Sequence, residues 1–250
     1  MASRASRGFG QYSGTARALE RVGERWALLI LRDLLSGARR YSDLKASLPR
    51  IPTNILSDRL KELQEAGLVR RVPTVRGGYE LTALGRAVEP VVVALERWGW
   101  SVLGERGDAE TVSADALTVS LHAAFRAEVA ASMPPTEYVL HVGGVSIAAV
   151  VSGETLDVVP VGASALPQPA RRHGAAGAPE AILELEIDPE GFGELLAGAA
   201  DPAAVSILAG EAAFLERFTR TFRIDPVVPG GTNGGTNGTN GDALAEASVA

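Results

Sequence analysis

Residues 40–71 constrain the fold more than any other part of the chain, because two amphipathic helical patterns lie there on either side of a short turn. The first pattern ends at residues 49–52, where two prolines prevent a helix from continuing. The second predicts a helix over residues 53–66, because its leucines recur at helical spacing and Gly67 follows as a C-cap. Two helices joined by so short a turn are typical of a helix-turn-helix.

On the second of these helices, the face opposite the leucines carries short polar side chains and basic side chains. Thr53, Asn54 and Ser57 are of the size and chemistry that read base edges, and Lys61 and Arg59 are suited to phosphate. An ordinary solvated helix face is the alternative. For Arg59 a further alternative is an ion pair with a glutamate of its own helix.

A hairpin is predicted after this helix, with strands at residues 68–73 and 79–81 flanking a glycine turn. Arginines on such a hairpin typically contact phosphate or enter the minor groove, with a merely solvated hairpin as the alternative. The order of helix, turn, helix and basic hairpin is that of a winged helix-turn-helix. Outside the second helix, the predicted DNA contacts are Arg39, Arg40, Ser42, Arg70, Arg71 and Arg76.

Residues 12–103 resemble the HxlR family of bacterial winged-helix regulators. The resemblance is carried by ARALERVGERWALLILRDLLSGARRYSDLKASLPRIPTNILSDRLKELQEAGLV and by YELTALGRAVEPVVVALERWG. It implies a DNA-binding regulator that dimerises through its first helix and the helix after the hairpin. Many members carry a cysteine just after an aromatic residue near the start, and some sense oxidants or electrophiles with it. Here Ser13 follows Tyr12, and the chain contains no cysteine.

A long helix is predicted over residues 82–103, with a kink at Pro90. Its apolar residues recur in alternating steps of four and three, which is typical of a coiled-coil seam. Such a seam packs either on its own domain or on a second copy, and helix-turn-helix regulators usually bind two half-sites about 34 Å apart as two-fold dimers. We therefore predict a homodimer whose interface includes Leu19, Val88, Val91, Leu95 and Trp98.

Charge divides the chain into two parts. Residues 1–104 contain 17 Arg and Lys against 10 Asp and Glu, whereas residues 105–250 contain 7 against 20. Only the first part is suited to a polyanion, and the second is expected to point away from DNA. We predict a flexible arm over residues 1–11, the winged-helix domain over 12–104, a linker over 105–111, a second domain over 112–225, and a disordered tail over 226–250.

The second domain is predicted to contain, in order, a helix, a three-stranded meander, a strand, a helix, a strand and a last helix. Its segment ELEIDPEGFGELLAGAADPAAVSILAGEAAFLERFTRTF is similar to the end of a sterol carrier protein 2-like domain. That resemblance implies an α/β sandwich with an apolar tunnel for a hydrophobic small molecule. The candidate lining residues are Phe192, Leu196, Phe214 and Phe218. The alternative is that they fill an ordinary core.

No catalytic or metal-binding pattern stands out in the sequence. His122, His141 and His173 are far apart, and neither a nucleophile elbow nor a P-loop occurs. We therefore predict no enzyme activity, no catalytic residues, no metal and no cofactor. The sequence also lacks a signal peptide and an apolar run of about 20 residues, so a cytoplasmic protein without a membrane partner is expected.

Together these features predict an α+β protein that is a homodimeric transcriptional regulator, a repressor, on a palindromic operator in double-stranded DNA. A hydrophobic small-molecule effector is expected in the C-terminal domain. The alternative is a lipid or hydrophobic-ligand carrier that uses its N-terminal module mainly for dimerisation. Specific DNA binding that weakens steeply with salt separates the two.

Overall fold

A computed structural model describes residues 8–73, 78–107, 109–161, 179–201 and 204–225. The chain is an α+β protein with a helical N-terminal half and a C-terminal half built on a five-stranded sheet. Arg76, most of the predicted N-terminal arm and the predicted tail over 226–250 lie outside the described residues.

The N-terminal half has the predicted order of a winged helix-turn-helix. β1 and β2 pair antiparallel and form the wing. The elements are α1 (Gly14–Val22), α2 (Ala27–Leu35), α3 (Tyr41–Ser47), α4 (Thr53–Glu65), β1 (Val69–Val72), β2 (Gly78–Leu81), α5 (Ala83–Arg86) and α6 (Glu89–Trp100).

α2 is the buried centre of this half, as its nearly continuous apolar sequence predicts. Ile30, Leu31 and Leu34 have no exposed surface, and the leucines of α3 and α4 pack in the same core. The helix begins at Ala27 rather than at residue 24, because Trp26 adopts a left-handed φ of 79° that interrupts helical geometry.

The long helix predicted over residues 82–103 is wrong, because the structure contains two helices there. α5 ends at Arg86, and Pro90 occupies the first turn of α6, where a missing N–H costs little. α5 also lies tightly against the wing: a Cβ on Gly85 would lie 2.0 Å from the Leu68 carbonyl oxygen. This close approach requires glycine.

The C-terminal half follows the predicted order, with one helix divided in two. The sheet order is β5-β4-β3-β6-β7, in which β3 and β6 are parallel and the other neighbours antiparallel. The elements are α7 (Ala114–Ala124), α8 (Ala127–Ala130), β3 (Thr136–Val142), β4 (Val145–Ser152), β5 (Thr155–Val161), β6 (Ala181–Ile187), α9 (Pro189–Ala197), β7 (Ser206–Ala209) and α10 (Ala212–Thr221).

The single helix predicted over residues 113–133 is broken where Phe125 leaves helical geometry. Phe125 is extended and forms an isolated β-bridge with Phe222. The break brings the Phe125 ring within 5.9 Å of the Phe222 ring, beside an aromatic cluster of Tyr138, Phe218 and Phe222 in the core. Tertiary packing of aromatic rings therefore outweighs local helix propensity here.

One face of the sheet packs on helices and the other carries polar side chains. Tyr138 and Leu140 on β3 are buried, as are Leu183 and Leu185 on β6. On the opposite face, the His141 ring contacts the Ser146 hydroxyl at 2.7 Å and Glu184 Oε1 at 2.9 Å, so three neighbouring strands are linked. This alternation is the expected pattern for a sheet covered on one side.

α7 joins the two halves of the chain. It packs against α2 and α6 of the N-terminal half and against β4 and β5 of the sheet. Its residues are accordingly buried on nearly all sides, including Leu117, Val119 and Leu121. The predicted linker at residues 105–111 precedes this helix, and the parts on either side of it are in extensive contact.

Candidate nucleic-acid interface

α4 turns its predicted polar face to solvent. Leu56, Leu60 and Leu63 lie in the core, while Thr53, Asn54, Ser57 and Lys61 are exposed. Pro52 is the N-cap, so the helix starts directly after the turn predicted from the prolines. No described part of the acidic C-terminal half covers this face.

Tyr41 holds the two helices of the helix-turn-helix together, a role that the sequence did not suggest. Its hydroxyl donates to the Thr53 carbonyl oxygen at 2.7 Å and accepts from the Ser57 hydroxyl at 3.3 Å. Ser57 also lies 3.1 Å from the same carbonyl oxygen. The start of α4 is therefore fixed relative to α3, and the Ser57 hydroxyl has local partners that a base edge would have to replace.

Two further predicted DNA contacts, Arg40 and Ser42, lie beside this face, and Lys61 lies on it. Ser42 is exposed near the start of α3, and Arg40 is half-buried there, where its backbone N–H donates to Asp43 Oδ2 at 3.0 Å. Lys61 lies 3.9 Å from Glu65, a loose pair at an exposed position. Exposed ion pairs contribute little energy, so Lys61 can exchange this partner for a phosphate.

Arg59 forms an ion pair with a glutamate of its own helix, which was the alternative to a phosphate contact. Its guanidinium bonds Glu62 of the same helix and lies 3.7 Å from Glu24 near α2. With both carboxylates at hand, the arginine stabilises its own domain. The structure gives no support to a phosphate contact from this residue.

The wing keeps two of its arginines at the surface. Arg70 pairs across the strands with Glu80 at 2.6 Å. Arg71 lies over the Tyr79 ring, 5.4 Å from its centroid, and donates to the Tyr79 hydroxyl at 3.0 Å. Arg76 lies outside the described residues, so its predicted role stays a prediction.

The prediction of a phosphate contact by Arg39 is wrong, because its side chain is buried between the two halves. Arg39 Nη2 donates to Asp115 Oδ1 at 2.5 Å and Nε to Oδ2 at 3.4 Å. Both side chains are 8% exposed. Asp115 is in the first turn of α7, so the pair joins the helix-turn-helix to the C-terminal half.

A second buried carboxylate lies close to this pair. Asp33 of α2 is fully buried and accepts from Arg32 at 2.8 Å and from the Ser47 hydroxyl at 2.5 Å. Burial raises the pKa of the Asp33 carboxyl; the Arg32 guanidinium opposes this and the Asp115 charge adds to it. The signal in the sequence is a single aspartate inside the apolar run of α2.

The predicted dimer residues fall into two groups. Val91, Leu95 and Trp98 follow one stripe of α6 and are 41–59% exposed, and Leu19 of α1 is 47% exposed. Val88 instead is half-buried and packs partly against the N-terminal core, so its interface role stays a prediction with less support than that of the other four. Loss of the continuous helix explains the difference, because Val88 lies in the break before α6.

The predicted ligand-binding residues do not form one site. Leu196 and Phe218 have no exposed surface, and the Phe218 ring packs 4.8 Å from that of Phe222. Phe214 is half-buried beneath the Arg217 guanidinium. For Leu196 and Phe218 the alternative of ordinary core packing is therefore the observed one. Phe192 alone among the four lines a cleft between the two halves.

Two further observations concern other classes of site. Across the described ranges, no group of three or more His, Asp or Glu side chains is arranged to hold a metal ion. The same ranges contain no helix with the length and hydropathy needed to cross a bilayer.

Comparison with known proteins places the similarity in the N-terminal half. Residues 21–106 match the family model described as HxlR-like helix-turn-helix. The uncharacterized HTH-type transcriptional regulator YvaP of Bacillus subtilis is 38% identical over 86 residues, which cover 33% of this chain and 80% of YvaP. The chain is thus similar to most of that protein.

The chain is also similar to a mycobacterial relative and to a protein of known structure. An uncharacterized HTH-type transcriptional regulator of Mycobacterium tuberculosis is 48% identical over 87 residues, which cover 33% of this chain and 54% of that protein. The chain therefore spans about half the length of this relative. The crystal structure of quinone-bound YodB from B. subtilis is 30% identical and covers 34% of this chain and 93% of that one, with a TM-score of 0.32.

Proposed function

The chain belongs to the HxlR-like helix-turn-helix family, and from this premise we propose that it is a transcriptional regulator that binds double-stranded DNA through α4. The observation that carries the proposal is the exposed polar face of α4. This face combines small hydrogen-bonding side chains at the start of the helix with a lysine one turn further on. A helix that enters the major groove needs both.

Each exposed residue has a role that follows from its position. Thr53, Asn54 and Ser57 lie in the N-terminal part of α4, which in helix-turn-helix proteins contacts base edges. Asn54 is suited to a bidentate contact with adenine. The proposed phosphate contacts are Lys61 on α4, Arg40 and Ser42 near the start of α3, and Arg70, Arg71 and Arg76 on the wing.

The proposed regulator acts as a homodimer and represses from a palindromic operator. The apolar stripe of Val91, Leu95 and Trp98 supports the dimer, because exposed apolar side chains at successive helical turns favour burial against a second copy. A two-fold dimer places two recognition helices on two half-sites, which requires a symmetric operator. A repressor then acts by occupying that site.

The C-terminal half is proposed to sense a hydrophobic small molecule, and a sterol carrier protein 2-like ancestry is part of this proposal. The support for it is that the helices and strands follow the order predicted from the sequence, with one helix divided in two, and that the core is rich in aromatic side chains. A tunnel through Leu196 and Phe218 is not part of it, because both are fully buried.

The experiment is selection of genomic DNA by the purified protein. Fragments of its own genome are incubated with the protein, and the retained fragments are sequenced. We expect enrichment of a few palindromic sites and a steep loss of affinity as salt rises. A carrier would retain no specific fragment and yet extract hydrophobic ligand, which would contradict the proposal.

Two sets of variants then test the residue roles on the selected operator. Asn54→Ala with Ser57→Ala should relax the choice of bases, at a loss of about 1–3 kcal/mol per lost base contact. Arg71→Ala should weaken binding to all sequences alike. It should also reduce the slope of log affinity against log salt concentration by about one, which corresponds to one lost phosphate contact. Unchanged binding in both would contradict the assignments.

A further inference from the structure

A cleft of about 1130 Å³ lies between the two halves of the molecule. Its walls come from α2, the turn between α3 and α4, α6, the chain after α6, and α9. We propose that this cleft binds a bulky hydrophobic organic cation. The further step, that this cation is the effector of DNA binding, rests on the proposed function.

Aromatic and aliphatic side chains make up much of the cleft. Trp26 and Trp100 line it, together with Leu29, Leu103 and Phe192. Leu29 and Leu103 are 38% and 64% exposed, so the cleft leaves apolar surface in water that a ligand would cover. Trp100 is held in place by α9, because a Cβ on Gly193 would lie 2.9 Å from its ring.

The tryptophan rings are also suited to a positive charge. The face of an indole ring attracts cations more strongly than the other aromatic side chains do. The Arg25 guanidinium already lies 5.2 Å from the Trp26 ring centroid, so Trp100 is the tryptophan ring better suited to receive a bound cation. Trp26 is moreover held with a left-handed φ of 79°, which is unfavourable for a bulky residue and often marks a functional position.

The charges around the cleft are unbalanced in favour of carboxylates. Two of the lining arginines already have acidic partners, Arg32 with Asp33 and Arg106 with Glu190. Arg50 is the remaining basic group among the lining residues of the described chain. The lining also includes four glutamates, Glu96, Glu105, Glu110 and Glu194, which outnumber Arg50 and the Arg25 guanidinium that lies over Trp26. A cation therefore fits this site better than an anion of the same shape.

Glu96 is the carboxylate best placed to meet the ligand. It is half-buried, and its Oε1 accepts from the Ser120 hydroxyl at 2.5 Å and from Trp100 Nε1 at 3.2 Å. Within the described residues it forms no ion pair. The carboxylate is thus positioned beside an aromatic ring by two hydrogen bonds and has no basic partner within the described residues.

The cleft is positioned to influence the recognition helix. Ser47, Leu48, Pro49 and Arg50 form part of its wall, and this segment leads into α4. The opposite side includes Leu117 of α7 and Phe192 of α9. A ligand that contacts both sides favours one spacing between them, and it alters DNA affinity to the extent that it prefers that spacing.

The test compares tetraphenylphosphonium with tetraphenylborate, which have the same shape and opposite charge. Calorimetric titration of the full chain should show 1:1 binding of the phosphonium per chain. The affinity for the borate should be lower by about tenfold or more. Equal binding of the two ions, or binding of the borate alone, would overturn the choice of a cation.

Two variants place the bound cation in the cleft. Gly99→Phe should lower phosphonium affinity about tenfold or more, because the new ring fills part of the cleft. The variant should fold, because a Cβ on Gly99 meets no atom within 4 Å and glycine has a lower helix propensity than phenylalanine. Glu96→Gln should lower it about three- to tenfold. The control is Glu89→Gln, an exposed residue at the start of the same helix, which should bind within about twofold of the parent.

DNA binding is measured separately on the same proteins, so that the two proposals fail independently. Operator affinity should change about fivefold or more when the phosphonium saturates the parent and should not respond in Gly99→Phe. Phosphonium binding that survives both cleft variants overturns the cleft site. Cation binding without specific DNA binding would refute the proposed function and leave the cleft site standing. Specific DNA binding without phosphonium binding would refute the cleft site alone.

Discussion

Arg39 connects three parts of the molecule through one residue. Its backbone N–H donates to the Tyr79 carbonyl oxygen at 2.9 Å, and its carbonyl oxygen accepts from Tyr79 N at 2.8 Å. Its guanidinium binds Asp115, and the next residue, Arg40, is the N-cap of α3. The wing, the first helix of the helix-turn-helix and α7 therefore meet at this position.

We predict that Arg39→Ala destabilises the fold by about 3–5 kcal/mol, because it leaves the buried Asp115 charge without its partner. Arg39→Met with Asp115→Leu should recover most of this loss, since an apolar pair needs no desolvated charge. Arg70→Ala removes an exposed pair and should cost about 1 kcal/mol or less. Urea unfolding measures all three, and an Arg39→Ala protein of parental stability would contradict the assignment.

The Asp33 carboxyl is predicted to make stability depend on pH. Because its folded pKa is raised, the folded state binds more protons than the unfolded state above the ordinary pKa of about 3.9. The contribution of Asp33 to the free energy of unfolding therefore falls as pH rises from about 4 to the raised pKa. Below and above that window it is constant.

Asp33→Asn removes this titration. The free energy of unfolding of the variant minus that of the parent should rise with pH across the window, by about 1.4 kcal/mol per unit of raised pKa. Denaturant unfolding at a series of pH values measures the difference. Asp58→Asn is the control, because Asp58 is exposed on α4. A flat difference for Asp33→Asn would show that this carboxyl titrates alike in both states.

At the scale of elements, local patterns predicted most of the helices and strands. The sequence predicts α4 over residues 53–66 and strands over 137–142, 145–152, 155–161 and 181–187. α4, β3, β4, β5 and β6 lie within one residue of these bounds, because proline, glycine and strict periodicity mark their ends. The failures share a cause. The break before α6 and the break at Phe125 both depend on contacts with residues distant in sequence, such as Phe222, which periodicity does not encode.

α7 is the element whose role the sequence understated. Its apolar stripe predicted one buried face, whereas the structure buries it from both sides between α2, α6 and the sheet. The unpredicted side is also polar: Ser120 binds Glu96 and the Ala123 carbonyl oxygen accepts from Arg97 at 2.7 Å. Hydrophobic periodicity cannot predict an interface made partly of hydrogen bonds.

We predict that Leu121→Ala in α7 destabilises both halves together, by about 2–5 kcal/mol, because Leu121 has no exposed surface. The three tryptophans are at positions 26, 98 and 100, and Trp100 packs on the C-terminal half at Gly193, so the experiment uses a Trp100→Phe background in which fluorescence reports on the N-terminal half. Circular dichroism reports on the whole chain. The two unfolding curves should coincide in the parent and shift together in the variant.

A control variant keeps this test specific. Leu208→Ala changes a 53% exposed leucine of β7 and should alter the free energy of unfolding by about 0.5 kcal/mol or less. If the fluorescence transition stayed in place while the circular dichroism transition moved, the halves would unfold independently. That result would contradict the role of α7 as the joining element.

At the scale of the whole molecule, the division of charge predicts which half meets DNA but gives no account of how the halves meet. The basic half does present the α4 face to solvent, free of the described acidic half. The Arg39–Asp115 pair spans 76 residues in sequence, and nothing local to either residue indicates its partner. Arginine and aspartate are ordinary surface residues, so burial of this pair follows only from the packing of α7.

The last prediction tests the proposed dimer interface on α6. Leu95 is 41% exposed in the monomer on the apolar stripe of α6, so replacing it by glutamate should cost the monomer little. In the dimer the same carboxylate would be buried, which is strongly unfavourable without a partner. We predict that Leu95→Glu is a folded monomer by sedimentation velocity. Its operator affinity should fall about 100-fold or more, because two linked half-site contacts become independent.

Val159→Glu is the matched control for this change. Val159 is 42% exposed and lies on the outer face of the sheet, so the substitution adds the same charge at the same exposure on a different surface. It should leave both the sedimentation coefficient and the operator affinity at the parental values. If Val159→Glu dissociates the protein while Leu95→Glu does not, the second copy packs on the sheet. The two recognition helices would then be spaced by the C-terminal halves rather than by α6.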